Sequence, residues 1–431
     1  MDNSQSEASF EAVDLIREVF HYQSRFEGST MVFKIDYPVT EAPGFPGLVK
    51  DLALLAKTGF KIIIVPGAKE NIDAVLKRYD IETSTLHTEA SKSDIPVRIT
   101  TSQAIPFVEM AAFDVASRFM TSLAGSRVEA VIGNFVRARG LGVQNGVDTE
   151  HTGTVDKIYS DSLGRVLDLG MIPILPCIGW SPSGKPYNVP SDEIALAVSL
   201  ALKADKLFIV SVHDGVHEQL TPQQAEAFIA SNSKSERNDK LRLALRASRA
   251  GINRVHIIDG REEGAVLKEL FSNLGVGTMV YTDEYDSIRV FHSRDLPDVL
   301  RLMEPFMQKG ILVRRNAEQI QEKKDDYAVL EIDGSVRACG ALHDWGESQG
   351  EIAAVATDSQ YTDLGLGKKI VGFLAEKARK NKMKRVFVLT TQTQDWFESL
   401  GFREAAVETL PEQKRKVYDQ SRKSKVFALE L

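Results

Sequence analysis

Through residues 30–284, short apolar runs recur, each followed by a loop and a stretch with helical spacing. This alternation narrows the fold more than any other feature of the chain. The runs are Met31 to Ile35, Lys61 to Val65, Glu129 to Ile132, Ile172 to Pro176, Lys206 to Val210 and Val255 to Ile258. In Lys61-Ile62-Ile63-Ile64-Val65 no polar residue interrupts the run after its first position, and Pro66 and Gly67 close it. A strand without polar alternation is buried on both faces, which calls for a mostly parallel sheet between helices. Residues 28–284 therefore read as one α/β domain. Residues 1–27 read as a separate helix, with Val13, Ile16, Val19 and Phe20 at steps of three and four. So narrow an apolar stripe needs a partner surface.

The pattern changes at Tyr281 to Ser287, a polar link, and residues 287–431 read as a compact α+β domain. Its expected hairpin turns at Asp333-Gly334. Two or three domains suit a chain of 431 residues. With 53 Lys and Arg against 60 Asp and Glu, the net charge is −7. No long basic block appears, which argues against nucleic acid or an anionic membrane surface as the main partner. The apolar stretch from Gly170 to Trp180 holds two prolines and falls short of the ~20 residues that span a bilayer. Met1 to Phe10 lacks the basic and apolar regions of a secretory signal, so a cytoplasmic protein is expected. Cys177 and Cys339 suit reduced core thiols, Cys/His ligand spacing is missing, and no metal is expected.

The chemistry-bearing stretch of the second domain starts at Ile352-Ala353-Ala354-Val355-Ala356. It continues through Thr357-Asp358-Ser359-Gln360-Tyr361 to Thr362-Asp363-Leu364-Gly365-Leu366-Gly367. Beyond it, Ile370, Val371, Leu374, Ala375 and Ala378 share one helix face. A glycine loop opening a helix presents free backbone N–H groups at the positive end of the helix dipole, as a pyrophosphate requires. Alone, G-x-G also describes an ordinary turn into a helix. The strand Arg385 to Leu389 and the segment Trp396-Phe397-Glu398-Ser399-Leu400-Gly401-Phe402 complete a series that resembles the core of the GNAT-type N-acetyltransferases. The resemblance implies acetyl-CoA as cosubstrate. Its pyrophosphate would lie against Thr362, Asp363, Leu364, Gly365, Leu366, Gly367 and Lys368, and its pantetheine arm along Val355, Ala356 and Thr357. Thr362 stands where that family usually has Arg or Gln.

Gly310-Ile311-Leu312-Val313-Arg314-Arg315 and the tail Leu410 to Val426 are similar to the bacterial N-acetylglutamate synthase family, and the similarity runs along almost the entire chain. It implies acetyl transfer to the α-amino group of L-glutamate, the first step of arginine biosynthesis, with feedback inhibition by L-arginine. Guanidinium pairs bidentately with carboxylate, so a dicarboxylate acceptor suits two arginines. By the resemblance, Leu312 and Arg314 take the α-carboxylate, Arg422 and Ser424 the side-chain carboxylate, and Glu351 the amine proton. Thr390, with Tyr418 as the alternative, would serve the leaving thiolate. Each has a plainer reading: Glu351 as a solvated strand-edge residue, and the tail as a basic surface segment, for which Lys414 to Lys416, Lys423 and Lys425 are good candidates.

The first domain is similar to the amino-acid kinase fold, an αβα sandwich with a mostly parallel sheet. Kinases of that family follow the first-strand lysine with two glycines and carry a glycine triplet after the second strand. Here those places read Lys34-Ile35-Asp36-Tyr37 and Pro66-Gly67-Ala68. Asp36 removes the close backbone approach and adds a repelling carboxylate, so kinase activity is expected to be lost. Asp192 reads as a remnant of the catalytic aspartate. The domain is expected to sense arginine through Tyr22, Lys206, His256, Glu269 and Gly275, by resemblance to arginine-inhibited members. In those members the N-terminal helix packs on another subunit, which implies a homo-oligomer, a hexamer. Two other readings stay open, a decayed chain that only binds arginine and a dual synthase-kinase.

Overall fold

In a computed structural model of the chain, the structure describes residues 26–87, 96–212, 218–231, 238–271, 275–282, 286–332, 335–358 and 365–431. The expected N-terminal helix up to residue 25 lies outside the described residues, as do Tyr22, Thr362, Asp363, Leu364 and the hairpin tip Asp333-Gly334. The chain forms two compact units, residues 1–283 and 284–431. Among the described residues no helix is long and apolar enough to cross a membrane.

The principal strands of the first unit are β1 (Thr30–Ile35), β2 (Lys61–Pro66), β3 (Ala130–Ile132), β4 (Val136–Gly140), β5 (Gly153–Ile158) and β6 (Ile172–Ile174). They continue as β7 (Ile178–Trp180), β8 (Pro186–Asn188), β9 (Lys206–Ser211), β10 (Glu218–Leu220), β11 (Arg254–Asp259) and β12 (Thr278–Tyr281). One sheet runs β10-β12-β11-β9-β1-β2-β6-β3, parallel except where β11 meets β12. The α/β sandwich expected of the apolar runs is what forms. Alternate residues serve opposite faces, as the period of a strand dictates. Met31, Phe33, Ile35, Ile62, Ile64 and Phe208 pack under α1 (Phe45–Lys57), α2 (Ile105–Gly125) and an α-helical segment, Ala265–Phe271. Val32, Ile63, Val65, Leu207 and Ile209 pack under α3 (Ser191–Ala201) and α4 (Asn238–Arg249). The polar stretch Ser231 to Asp239 contains the start of α4, and Asn238 is buried.

A second sheet, β8-β7-β4-β5, escapes the sequence pattern. Its strands are short or carry half-exposed charges, such as the Arg137–Asp156 pair at 2.6 Å, so no apolar run announces them.

The second unit is built on a sheet of β13 (Asp286–Val290), β14 (Tyr327–Ile332), β15 (Ser335–Asp344), β16 (Gln349–Thr357), β17 (Arg385–Thr390), β18 (Arg403–Ala405) and β19 (Lys425–Glu430). Its order is β13-β14-β15-β16-β17-β19-β18, antiparallel except between β16 and β17. On one face, Ile370, Val371, Leu374 and Ala378 of α6 (Leu366–Lys380) cover Ala338, Leu342, Ile352 and Val386. On the other, Val299, Leu302 and Met303 of α5 (Leu296–Gln308) cover Val329, Cys339, Ala341, Ala354 and Ala356. The glycine-loop helix and the hairpin thus form where the sequence pattern predicts them.

Candidate functional site

The parallel pairing of β16 with β17 lasts only from Gln349↔Arg385 to Glu351↔Phe387. Beyond that point β16 runs on to Thr357 and β17 to Thr390 without pairing, so the two strands part and open the sheet. A bulge reinforces the divergence. The β15–β16 register slips between Cys339 and Ala341, and Ala354 takes a left-handed φ of 54°. For a residue with a Cβ this conformation costs roughly 1–2 kcal/mol, a strain often kept where backbone groups are aimed at a ligand. Gly340 sits opposite the bulge, where an added Cβ would lie 2.9 Å from Leu374 of α6.

Val355 is half-buried and Ala356 buried on this diverging strand. Thr357 ends it against Gly367: a Cβ on Gly367 would stand 3.6 Å from the Thr357 methyl and 2.9 Å from the Trp396 ring. Gly365 caps α6 at φ 64° with no side-chain bond to the free amides among the described residues, Leu366 is buried, and Lys368 is exposed. The first turn of α6 therefore keeps its N–H groups for an anion beside the end of β16.

The tail closes the other side of the opening. Lys425 pairs with Thr390, so β19 places Ser424 beside the end of β17. The Tyr418 hydroxyl donates to the Ser424 carbonyl at 2.5 Å. The Arg422 guanidinium donates to the carbonyls of Gly310 and Ile311 at 2.9 and 3.2 Å. Leu312 packs against the cluster that holds Ala354 and Ala356. Arg422 therefore ties the segment bearing Leu312 and the exposed Arg314 to the segment bearing Ser424. Thr390 is buried, accepts the Thr393 N–H at 3.0 Å, and shares a 2.8 Å bond with the Thr393 hydroxyl.

Glu351 occupies the last paired position before the strands part. It is buried rather than solvated at a strand edge. Its Oε2 accepts the Trp345 indole N–H at 2.8 Å and the Lys414 ammonium at 2.7 Å. Reading Lys414 as part of a basic surface segment fails here, because tertiary burial separates it from Lys416, which stays in water. Nearby, burial pushes the Cys339 thiol up to about 12, despite a bond from the Ala356 backbone and the charge of Arg315, so it stays a protonated core thiol.

The first unit assembles two further clusters. Phe33, Phe208 and His256 stack across β1, β9 and β11 at centroid distances of 4.6 and 4.7 Å. His256 Nδ1 meets Glu269 Oε1 at 2.6 Å. Glu269 Oε2 accepts the N–H groups of Val276 and Gly277 at 2.7 and 2.9 Å. Glu269 is buried, not an exposed helical residue. Gly275, at φ 66°, allows the close turn, since a Cβ there would lie 2.6 Å from that carboxylate. Burial raises the Glu269 carboxyl, but His256 and the two backbone donors outweigh it and hold it below its ordinary value. Burial holds His256 below its own ordinary value, and its Nε2 is buried without a hydrogen-bond partner among the described residues. Lys206 is buried, with its ammonium 5.7 Å from the Phe26 ring centroid.

The second cluster sits at the end of β1. Lys34, buried, pairs with Asp36 and, at 2.7 Å, with Asp192, while Lys240 pairs with Asp36 at 2.5 Å. The cationic groups at this strand end are thus matched by internal carboxylates. Gly67 closes against them, its N–H on the Ile35 carbonyl at 2.7 Å.

Residues 38–259 match the amino acid kinase family and residues 296–402 the acetyltransferase (GNAT) family. The chain is 33% identical to the amino-acid acetyltransferase of Pasteurella multocida (strain Pm70), over 97% of this chain and 98% of that protein. It is 32% identical to the amino-acid acetyltransferase of Escherichia coli (strain K12), over 99% of each. Among solved structures, it is similar to N-acetylglutamate synthase from Neisseria gonorrhoeae complexed with coenzyme A and L-arginine. The TM-score is 0.84 at 30% identity, covering 97% of this chain and 99% of that one. The same enzyme complexed with coenzyme A and N-acetyl-glutamate matches with a TM-score of 0.60 at 32% identity, over 97% and 99%.

Proposed function

The chain belongs to the N-acetylglutamate synthase family of amino-acid acetyltransferases, and from that premise we propose that it transfers acetyl from acetyl-CoA to the α-amino group of L-glutamate. The observation that carries this reading is the Arg422 bridge, which joins the two acceptor-side segments across the place where β16 and β17 part. Bound acetyl-CoA supplies the activated acyl group. The fit is favourable: diverging strands leave room for a pantetheine arm, and the first turn of α6 keeps its amides for a pyrophosphate.

The chain's own residues divide the remaining work. Arg314 and the Leu312 backbone receive the α-carboxylate, and Arg422 and Ser424 the side-chain carboxylate. Glu351 takes the proton that the ammonium must lose before it attacks. A backbone N–H near Val355 meets the negative charge that develops on the carbonyl oxygen. Thr390 serves the departing sulfur, with Tyr418, whose hydroxyl donates to the Ser424 carbonyl, as the alternative. Replacing Arg422 with alanine is expected to lower kcat/KM for glutamate by about 10- to 100-fold, the worth of a lost charged hydrogen bond. KM for acetyl-CoA stays within about twofold in that variant, since uniform cofactor binding is untouched. An unchanged glutamate response would remove Arg422 from the acceptor site.

In the same reading the first unit senses L-arginine through Tyr22, Lys206, His256, Glu269 and Gly275, and arginine inhibits the transfer. The gathering of His256, Glu269 and Gly275 in one buried cluster supports it. The unit transfers no phosphoryl group, because Asp36 presents a carboxylate beside Lys34. Assembly into a homo-oligomer, a hexamer, through residues 1–27 rests on the stripe of Val13, Ile16, Val19 and Phe20.

Thiol release from acetyl-CoA, measured with and without L-glutamate and then with added L-arginine, tests both units at once. Glutamate-dependent release that arginine suppresses is the expected result. Release that ignores glutamate, or none at all, leaves arginine binding as the surviving role.

A further inference from the structure

Lys414 shares its sequence neighbourhood with Arg415 and Lys416, yet its side chain is largely covered. Its side chain is 12% exposed, whereas that of Lys416 is 70% exposed. A lysine is seldom buried unless it is paired, because desolvating the ion costs several kcal/mol. Here the cation lies 4.7 Å from the centroid of the Trp345 ring and 2.7 Å from Glu351 Oε2. The indole N–H of the same tryptophan donates to the same oxygen. One aromatic side chain thus contacts both ions, its face toward the cation and its edge toward the carboxylate.

The helical turn that bears Lys414, Glu412–Lys416, is docked rather than loose. The Glu412 N–H donates to Glu347 at 2.9 Å, Gln349 reaches the Thr409 carbonyl at 3.4 Å, and Leu410 is buried with Phe387. Phe387 is the residue opposite Glu351 on β17, at the point where the strands part. The tail therefore delivers one ammonium to one carboxylate at the mouth of the opening. Both donors land on Oε2, which leaves Oε1 outside these bonds.

We propose that Lys414 is a positioning residue for the acetyl transfer, fixing Oε2 of Glu351 so that Oε1 meets the incoming amine. This rests on the reading of Glu351 as the base. The other titratable or charged groups around Glu351 come from every element packed on it. His343 lies opposite on β15, held by Asp326 through Nδ1 at 2.6 Å; Asp344 ends β15 and Glu347 stands in the turn before β16; Tyr418 lies in the tail. Among the described residues, Trp345 and Lys414 alone bond the Glu351 carboxylate.

The test measures kcat and KM for L-glutamate separately in the full chain, for wild type, Lys414→Met, Lys414→Arg and Glu351→Gln, each with its thermal midpoint recorded. Without the ammonium the carboxylate is held by the Trp345 indole alone among the described residues, so kcat of Lys414→Met is expected to fall by about tenfold. KM for L-glutamate is expected to stay within about threefold, with Lys414→Arg restoring most of the loss in kcat. If Lys414→Met does not fold, Lys414→Gln carries the same comparison. A loss carried wholly by KM, a kcat loss that Lys414→Arg does not restore, or no loss, while Glu351→Gln is inactive, overturns the positioning role and leaves the base intact. Full activity in Glu351→Gln overturns the base and the positioning role together.

Discussion

Replacing Glu351 by glutamine is expected to lower kcat by about 10²- to 10⁴-fold, the usual contribution of a positioned general base. The amine of an amino acid arrives as an ammonium, and an ammonium has no lone pair with which to attack a thioester. Glutamine keeps the size of the side chain and an oxygen for the Trp345 indole, but it cannot hold the departing proton. The geometry of the opening survives, so KM for acetyl-CoA should change little. Two further readouts separate chemistry from folding. The thermal midpoint should fall, because Lys414 then loses its anion in a buried setting. The residual rate should rise more steeply with pH than in wild type, since alkaline solution deprotonates the amine without help. A kcat within about fivefold of wild type would take Glu351 out of the chemistry, given that even modest base catalysis exceeds that factor.

The candidate site was legible where local pattern and chemistry coincide. The G-x-G turn at Gly365 and Gly367 opens α6 because a glycine at positive φ and a close approach to Trp396 are both backbone demands, visible as residue types. His256 and Glu269 lie thirteen positions apart, and their meeting follows from a strand leading into the helical turn packed on it. What stayed hidden is decided only by tertiary burial. Lys414 and Lys416 are alike in sequence and opposite in environment. Trp345 carries no motif, yet its indole bonds the carboxylate at the point of divergence. Ala354 looks like any strand residue, and only the slipped register opposite Gly340 discloses the bulge. The strand β19 was concealed because basic residues precede it and its first residue, Lys425, is exposed.

Substituting Asp36 with alanine is expected to destabilise the first unit by about 3–5 kcal/mol, the cost of breaking a buried ion pair from one side. Lys34 would keep only Asp192, at 2.7 Å, and Lys240 would lose its Asp36 partner. Burial alone raises the Asp36 carboxyl, but Lys34 and Lys240 outweigh it and bring it down to about 2 from 3.8. A carboxyl held lower in the folded chain than in the unfolded one contributes stability above the unfolded value and loses it as pH falls toward the folded value. For Asp36 that contribution is about 2 kcal/mol at neutral pH and fades between about 3.8 and 2. Burial opposes the charge of Lys34, yet Asp192 and Asp36 raise it above its ordinary value, so its share is complete at neutral pH and is lost only in alkali. Stabilities from urea unfolding of the wild-type chain and Asp36→Ala should therefore differ most near neutrality, the gap narrowing by about 2 kcal/mol in acid below about pH 3.8. Equal midpoints at pH 7, or a gap that persists unchanged in acid, would show that the network does not hold the unit together. The same carboxylate explains why phosphoryl transfer is not expected here. It stands beside the lysine that a phosphate would need, at a position where glycine would leave room for one, and removing it costs the fold before it could restore the chemistry.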